Sequence, residues 1–370
     1  MKQMTMNPLT HTPSVVAVGH RRCMPFRPAS TSHSRRARVS CRAERQQEAR
    51  SHDTDQSRRS LLLAGPVLLA GLGVSPFLAE PAQAEIETNK SVISVRGLSA
   101  FQRSAQRNYL AQRSEKELKK VVTAADAPIA LRVVLHDAAT YDVATGKGGL
   151  NGSIIKSEEL SRPENKDLKS FIDKLAGVKQ TIDDRGKVAG QGPISWADLI
   201  VLAAKVAHVL SWTEQKVKRA TVASGGSTIA DAFGAAFPVP LGRMDADSAD
   251  DAVKIPTQSA SPAEVKEFFS KLGNESKGGF GAGKPPFWER PTFLLWSGAQ
   301  PDPATAEAAL AADDDFKNWK NKYDRSRRTV TRTEYEVDFI TFFTKLANLG
   351  ARFDGNKYLY PITLELPKIK

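Results

Sequence analysis

Arg132 and His136 stand four residues apart inside the apolar run "APIALRVVLHDAATYD" (127–142). At about 100° per residue, that spacing sets both side chains on one helix face, one turn apart. There a cation and an imidazole can address the same small ligand. The same residues also have a purely structural reading, a buried ionic and hydrogen-bonded pair that includes Asp137, because deleting one partner would strand the other in the core.

The elements that must position this pair begin well inside the chain. Residues 1–43 contain no Asp or Glu and eight basic residues among many Ser and Thr, the composition of an organelle transit peptide. After it, "SRRSLLLAGPVLLAGLGVSPFLAEPAQAE" carries the twin Arg58 and Arg59, an apolar stretch from Leu61 to Val74 and a small-residue cleavage site at Ala82, Gln83 and Ala84. That stretch is too short and too broken by Gly and Pro to span a bilayer, which takes about 20 apolar residues. The expected organisation is a plastid transit peptide over 1–57, a twin-arginine signal over 58–84 and one folded unit over 85–370. Two addresses in series resemble the leaders of chloroplast thylakoid-lumen proteins. A bacterial export signal with a long tail would leave the acid-free leader unexplained.

Removing the leader changes what chemistry is available. Both cysteines, Cys23 and Cys41, lie in it, so the remainder has no disulfide, no thiol nucleophile and no thiolate ligand. Four of the six histidines (His11, His20, His33, His52) go too, leaving His136 and His208. Twelve of the 53 basic residues and five of the 41 acidic ones also lie before residue 85, so a formal +12 falls to +5. The basic balance is therefore mostly import signal, and it points to no nucleic-acid partner.

Helix signals recur over the rest, and no strand alternation is sustained. In "ISWADLIVLAAKVAHVLSW" the apolar positions from Trp196 to Leu210 follow helical spacing after a cap-like Ser195 with Asp198. "SPAEVKEFFSKLG" opens on Ser261, Pro262 and Glu264, and stops at Gly273. "TEYEVDFITFFTKLANLG" offers Thr333 and Glu336 as a capping box and ends at Gly350. Further helices are expected over 113–124, 128–141, 166–182 and 304–323, with a Gly- and Pro-rich loop over 273–291. The fold class is all-α, without internal repeats.

With these elements in place, "LRVVLHDAATYD" resembles the distal helix of class I haem peroxidases, the ascorbate peroxidase family. The resemblance extends through "NGSIIKSEELSRPENKDL", "ISWADLIVLAA", "FPVPLGRMDAD" (with Gly242, Arg243 and Asp245), "ALAADDDFKNWKNKY" and "FFTKLANLGARF", in the family's order over most of 100–350. It implies a helical haem-peroxidase-like fold, haem b as cofactor and hydrogen peroxide as substrate. It also implies that His136 is the distal base, Arg132 the charge-stabilising partner and Asn165 the residue that orients the histidine. Leu135 stands where the family has Trp, while Ala124 and Asp126 replace a Lys and a Cys before the distal helix.

The iron side departs further. The family's proximal histidine helix has no counterpart, because the segment after Leu272 is the Gly/Pro loop and contains no histidine. The region of the family's second basic ascorbate contact and of its cation site is lost with that helix. Glu307, in "ATAEAALAA", falls where the resemblance places the carboxylate partner of the missing ligand. His208 lies about 200° around its helix from Val206, off the apolar stripe beside Lys205 and Trp212, and is not expected to ligate. Tyr323 and Tyr335 are chemically able to hold iron, but not at positions the family recommends. "GGFGAGK" (278–284) is read as a loop rather than a phosphate cradle, since Pro285 and Pro286 follow where a helix should start.

The expectation is therefore a lumenal, ascorbate-peroxidase-like chain with a degenerate site and weak or absent haem. It would act through a lumenal or membrane photosynthetic partner to which it attaches peripherally. The cluster Arg325, Arg327, Arg328 and Arg332 is a candidate contact for acidic surfaces. The alternative is an active peroxidase with an unusual axial ligand.

Overall fold

The computed structural model describes residues 88–188, 190–272 and 289–367. Both expected targeting segments, 1–57 and 58–84, the expected loop at 278–284 and Pro285–Pro286 lie outside the described residues. Everything described belongs to one unit, Gln83–Lys370.

Helices dominate that unit, in agreement with the all-α expectation. They are α1 (Ala100–Leu118), α2 (Ala127–Ala139), α3 (Ser157–Leu160), α4 (Lys169–Val188), α5 (Trp196–Arg219) and α6 (Ala223–Ala236). After them come α7 (Pro262–Lys271), α8 (Glu289–Pro291, continued by a π turn over Thr292–Ser297), α9 (Pro303–Leu310), α10 (Asp314–Arg327) and α11 (Glu334–Ala347). Two strands, β1 (Thr88–Ile93) and β2 (Ile362–Pro367), pair antiparallel near the ends of the described chain, with Ile93 opposite Ile362. This ribbon was not expected: β2, ITLELP, does alternate apolar and polar residues, but its partner β1, TNKSVI, carries no such pattern.

The core is built around α5, which packs on α1, α2, α4 and α6. By length and composition α5 resembles a membrane span, but 72% of its apolar window is buried inside the fold, the mark of a core helix. Leu199, Ile200, Leu202 and Val206 meet Leu131, Val134, Leu135 and Ala138 of α2 in one cluster. Each of these Leu, Ile and Val side chains contributes about 1.5–3 kcal/mol on burial.

Local signals set several boundaries as expected. Ser261 accepts from the Glu264 amide while Glu264 returns a bond to the Ser261 amide, a complete capping box. Ser195 accepts from the Asp198 amide, but the Asp198 carboxylate is directed elsewhere, so only half of that box forms. Thr333 makes no side-chain cap bond; Glu336, its expected partner, is buried and paired with Lys216 at 2.9 Å. A buried ammonium is a stronger claim on a carboxylate than one exposed amide. The single helix expected over 304–323 is two helices, separated at Asp313, whose carboxylate caps α10. The glycine-rich segment 223–236 is helical although its propensity is poor, because α6 lies along α5 and burial at Gly226 and Ala230 outweighs propensity.

Candidate functional site

α2 presents the distal residues, and its start is fixed by Asp126. That carboxylate accepts from the Thr123 amide at 2.7 Å and pairs with Lys174 at 2.7 Å, and Pro128 follows in the first turn. From α2, His136 reaches Asn165, in the 3-10 turn Pro163–Leu168, with Nδ1 to Oδ1 at 2.7 Å. The Asn165 amide nitrogen donates to the Glu159 carbonyl at 2.9 Å, so its oxygen is the end that faces the ring. Nδ1 therefore carries the proton, and Nε2 keeps a lone pair. Burial holds the His136 ring neutral, with its pKa lowered to about 4, while Asn165 opposes the shift and Arg132 adds to it.

Arg132 is one turn away and half-buried, with its Nε unpartnered and the Asp167 carboxylate favouring its charge. The structure thus brings together a neutral base and a cation on one helix face. This arrangement is able to take a proton at Nε2 and to hold an adjacent anion.

The buried ion pair that sequence offered as an alternative does not form. His136 bonds Asn165 rather than Arg132, and Asp137 turns the other way, accepting the amides of Asn151, Gly152 and Ile154 at 2.8–3.0 Å. Gly152 sits at φ 72°, and a Cβ there would meet the Ala197 nitrogen at 2.9 Å, so this loop can approach α5 only with glycine. Burial, reinforced by Glu159 and Asp250, pushes the Asp137 carboxyl up to about 8 against the amides.

On the opposite side, Glu307 is already engaged. Arg327 donates to both its oxygens at 2.7 Å, gives a third bond to Asp324 at 2.8 Å and lies over the Tyr335 ring at 4.8 Å. The carboxylate sequence assigned to a missing histidine has an internal guanidinium instead. This corrects a second expectation, since Arg327 is mostly buried and does not belong to the exposed arginine cluster. Arg325, Arg328 and Arg332 remain exposed.

His208 is likewise not a surface residue. It is 5% exposed and packs its ring 4.2 Å from that of Phe339, with Trp212 at 6.2 Å, because α5 is enclosed on nearly all sides. Its Nε2 has no partner, and burial lowers its pKa to about 3. Tyr323 donates its hydroxyl to Asp338 at 2.9 Å, which with burial raises its pKa, and burial pushes Tyr335 to about 12.

The sequence motifs outside the pair prove to be one scaffold. Asp198 accepts the amides of Gly242 and Arg243, the Arg243 guanidinium at 2.9 Å and the Tyr358 hydroxyl at 2.8 Å. Asp245 accepts the Trp196 and Ala197 amides, capping α5. The acidic residues of "ISWAD" and "GRMDAD" therefore hold each other's segments. Gly242, at φ 123°, makes the turn that aims its amide at Asp198.

Comparison with known proteins agrees with this framework. The peroxidase family pattern matches residues 111–277. The thylakoid lumenal 29 kDa protein of Solanum lycopersicum is 37% identical over 265 residues, covering 68% of this chain and 72% of that protein. The chain belongs to the peroxidase family. The thylakoid lumenal 29 kDa protein of Arabidopsis thaliana is 36% identical over 66% of this chain and 67% of its own length, and putative L-ascorbate peroxidase 6 of the same plant is 29% identical over 65% and 69%. The crystal structure of the TL29 protein from Arabidopsis thaliana superposes with a TM-score of 0.61 at 34% identity, covering 70% of this chain and 99% of that one. These relatives agree with the lumenal address read from the leader and place this peroxidase-family chain in the chloroplast thylakoid lumen.

One expected result follows from His208. An unfolded histidine binds its proton near pH 6.5, whereas the buried ring stays neutral to about 3. The unfolded state therefore binds more protons across that window, and stability falls as pH drops through it. At pH 5 the penalty is about 2 kcal/mol. Urea unfolding of His208→Leu should show a loss between pH 7.5 and pH 5 that is smaller than the wild type's by that amount. Equal losses would show that the ring titrates freely.

Proposed function

We propose that this peroxidase-family chain acts in the thylakoid lumen by binding a lumenal or photosynthetic membrane partner, with little or no peroxidase turnover. The observation that carries the reading is the bidentate Arg327–Glu307 pair, which occupies the carboxylate the family would direct at a proximal histidine. Haem b, the cofactor the family implies, is not matched by the donors present. His208 is walled in by Phe339 and Trp212, the Tyr323 hydroxyl is committed to Asp338, and beyond the leader the sequence holds no third histidine. His136 belongs to the distal pair. Without an axial bond, haem falls short of the ~8 kcal/mol that micromolar binding takes.

The test is a haem titration of the processed lumenal protein, followed by Soret absorbance. No saturable one-to-one complex is expected at micromolar haem. A stoichiometric complex whose peroxide turnover disappears in His136→Ala would establish the second reading instead, reduction of hydrogen peroxide through Arg132, His136 and Asn165. One observation favours that rival: the His136–Asn165 bond leaves Nε2 free as a neutral base.

A further inference from the structure

The outer face of α10 carries a feature that the peroxidase fold itself does not use. A surface cleft of about 660 Å³ is lined by Trp319, Lys322, Asp324, Arg325 and Arg328, with Asn318 and Asn321. Its positive charge is not internally cancelled. Lys322, Arg325 and Arg328 form no ion pair among the described residues, and the only acid among the described lining residues, Asp324, is bonded to Lys320 at 2.6 Å and Arg327 at 2.8 Å. Arg325 uses Nε on the Asn321 carbonyl, which orients the guanidinium and leaves its outer nitrogens without a partner among the described residues. Arg328 closes α10, and the connector just after it is tied down, because Lys216 donates to the carbonyls of Thr329 and Arg332.

The aromatic lining is equally ordered. The Trp319 indole donates to Glu289 at 3.1 Å, stacks on Tyr323 at 6.0 Å and has two cations near its ring, Arg290 at 4.9 Å, itself paired with Asp338, and Lys322 at 5.2 Å. A half-buried tryptophan beside Lys322, Arg325 and Arg328, cations with no ion pair among the described residues, matches the composition of binding hot spots, where a buried aromatic anchor pairs with a charged rim.

We propose that this cleft is the docking site for an acidic peptide segment of a protein partner, with carboxylates on Lys322, Arg325 and Arg328 and an apolar side chain against Trp319. The proposal rests on the reading of the chain as a binding protein and names the chemistry of its contact. A membrane surface fits less well: lipid insertion calls for a protruding apolar side chain, whereas Trp319 is held along the helix face by four neighbours. Complementary charge of this kind steers association and weakens as the Debye length shrinks from about 10 Å at 0.1 M salt to about 3 Å at 1 M.

The experiment titrates the processed lumenal protein into a fluorescently labelled synthetic peptide in which Asp and Glu surround a single Phe. Phosphatidylglycerol vesicles and inorganic phosphate serve as competing probes. Binding is expected to be salt-sensitive, about tenfold weaker in Arg325→Ser/Arg328→Ser and about thirtyfold weaker in Trp319→Ala, with Trp319→Phe close to wild type. Both arginines are exposed, so the double variant remains decisive should Trp319→Ala fail to fold. Equal peptide affinity in wild type and folded variants would overturn the site, as would vesicles or phosphate binding at the cleft while the peptide does not. Peroxide turnover by the same protein would defeat the binding-protein reading separately. Absence of peptide binding in a protein without turnover would defeat this cleft alone.

Discussion

Arg243→Leu is expected to cost about 3–5 kcal/mol of folding stability, the usual consequence of removing one member of a fully buried ion pair. The Arg243 and Asp198 side chains are both 0% exposed. The guanidinium also donates to the carbonyls of Ala347 and Pro240 and to the Asn348 side chain, at 2.7–3.0 Å. One side chain therefore ties the start of α5, the turn at Gly242 and the end of α11. Leucine leaves Asp198 charged and buried, with only amides and the Tyr358 hydroxyl to compensate. Replacing both residues by leucine should not restore stability, because the Gly242 and Arg243 amides and Tyr358 would then lose their acceptor. Urea unfolding should show a lower midpoint at an unchanged slope. A loss below about 1 kcal/mol would mean that the pair is dispensable.

Arg327→Leu is expected to cost about 2–3 kcal/mol, discounted from the fully buried case because the Arg327 side chain is 20% exposed and Glu307 8%. The variant strands Glu307, whereas Glu307→Leu leaves Arg327 its bond to Asp324, so the second substitution should be the milder. A double-mutant cycle on thermal or urea unfolding measures the coupling between them. Neither variant should gain a Soret complex, since freeing the carboxylate supplies no axial donor. Appearance of a stoichiometric haem complex in Arg327→Leu would show that the ion pair, and not the missing histidine, excludes the cofactor.

Sequence and structure contributed to different parts of this account. The capping box at Ser261, the helical spacing of α5 and the four-residue step from Arg132 to His136 are local patterns, within reach of one turn of chain, and the structure reproduces them. The histidine count is also purely sequential: wherever the 273–288 segment lies, it brings no imidazole. The β ribbon is not legible because β1 carries no alternation and lies 269 positions from β2 at their innermost pair, Ile93 and Ile362. Thr333 lacked its box because Lys216, on another helix, took Glu336.

What the sequence by itself determined was the inventory: a helical peroxidase-family chain with Arg132 and His136 one helix turn apart and no histidine after His208. Only the tertiary structure decided the pairings, and these define the site. It set Asn165 against His136, gave Glu307 to Arg327 twenty residues on, enclosed His208 beneath Phe339 and left Arg325 and Arg328 beside Trp319. The physical reason is that a charged or polar side chain has several admissible partners at comparable energy, and the backbone path, which burial of the apolar faces sets, determines which of them comes within bonding distance.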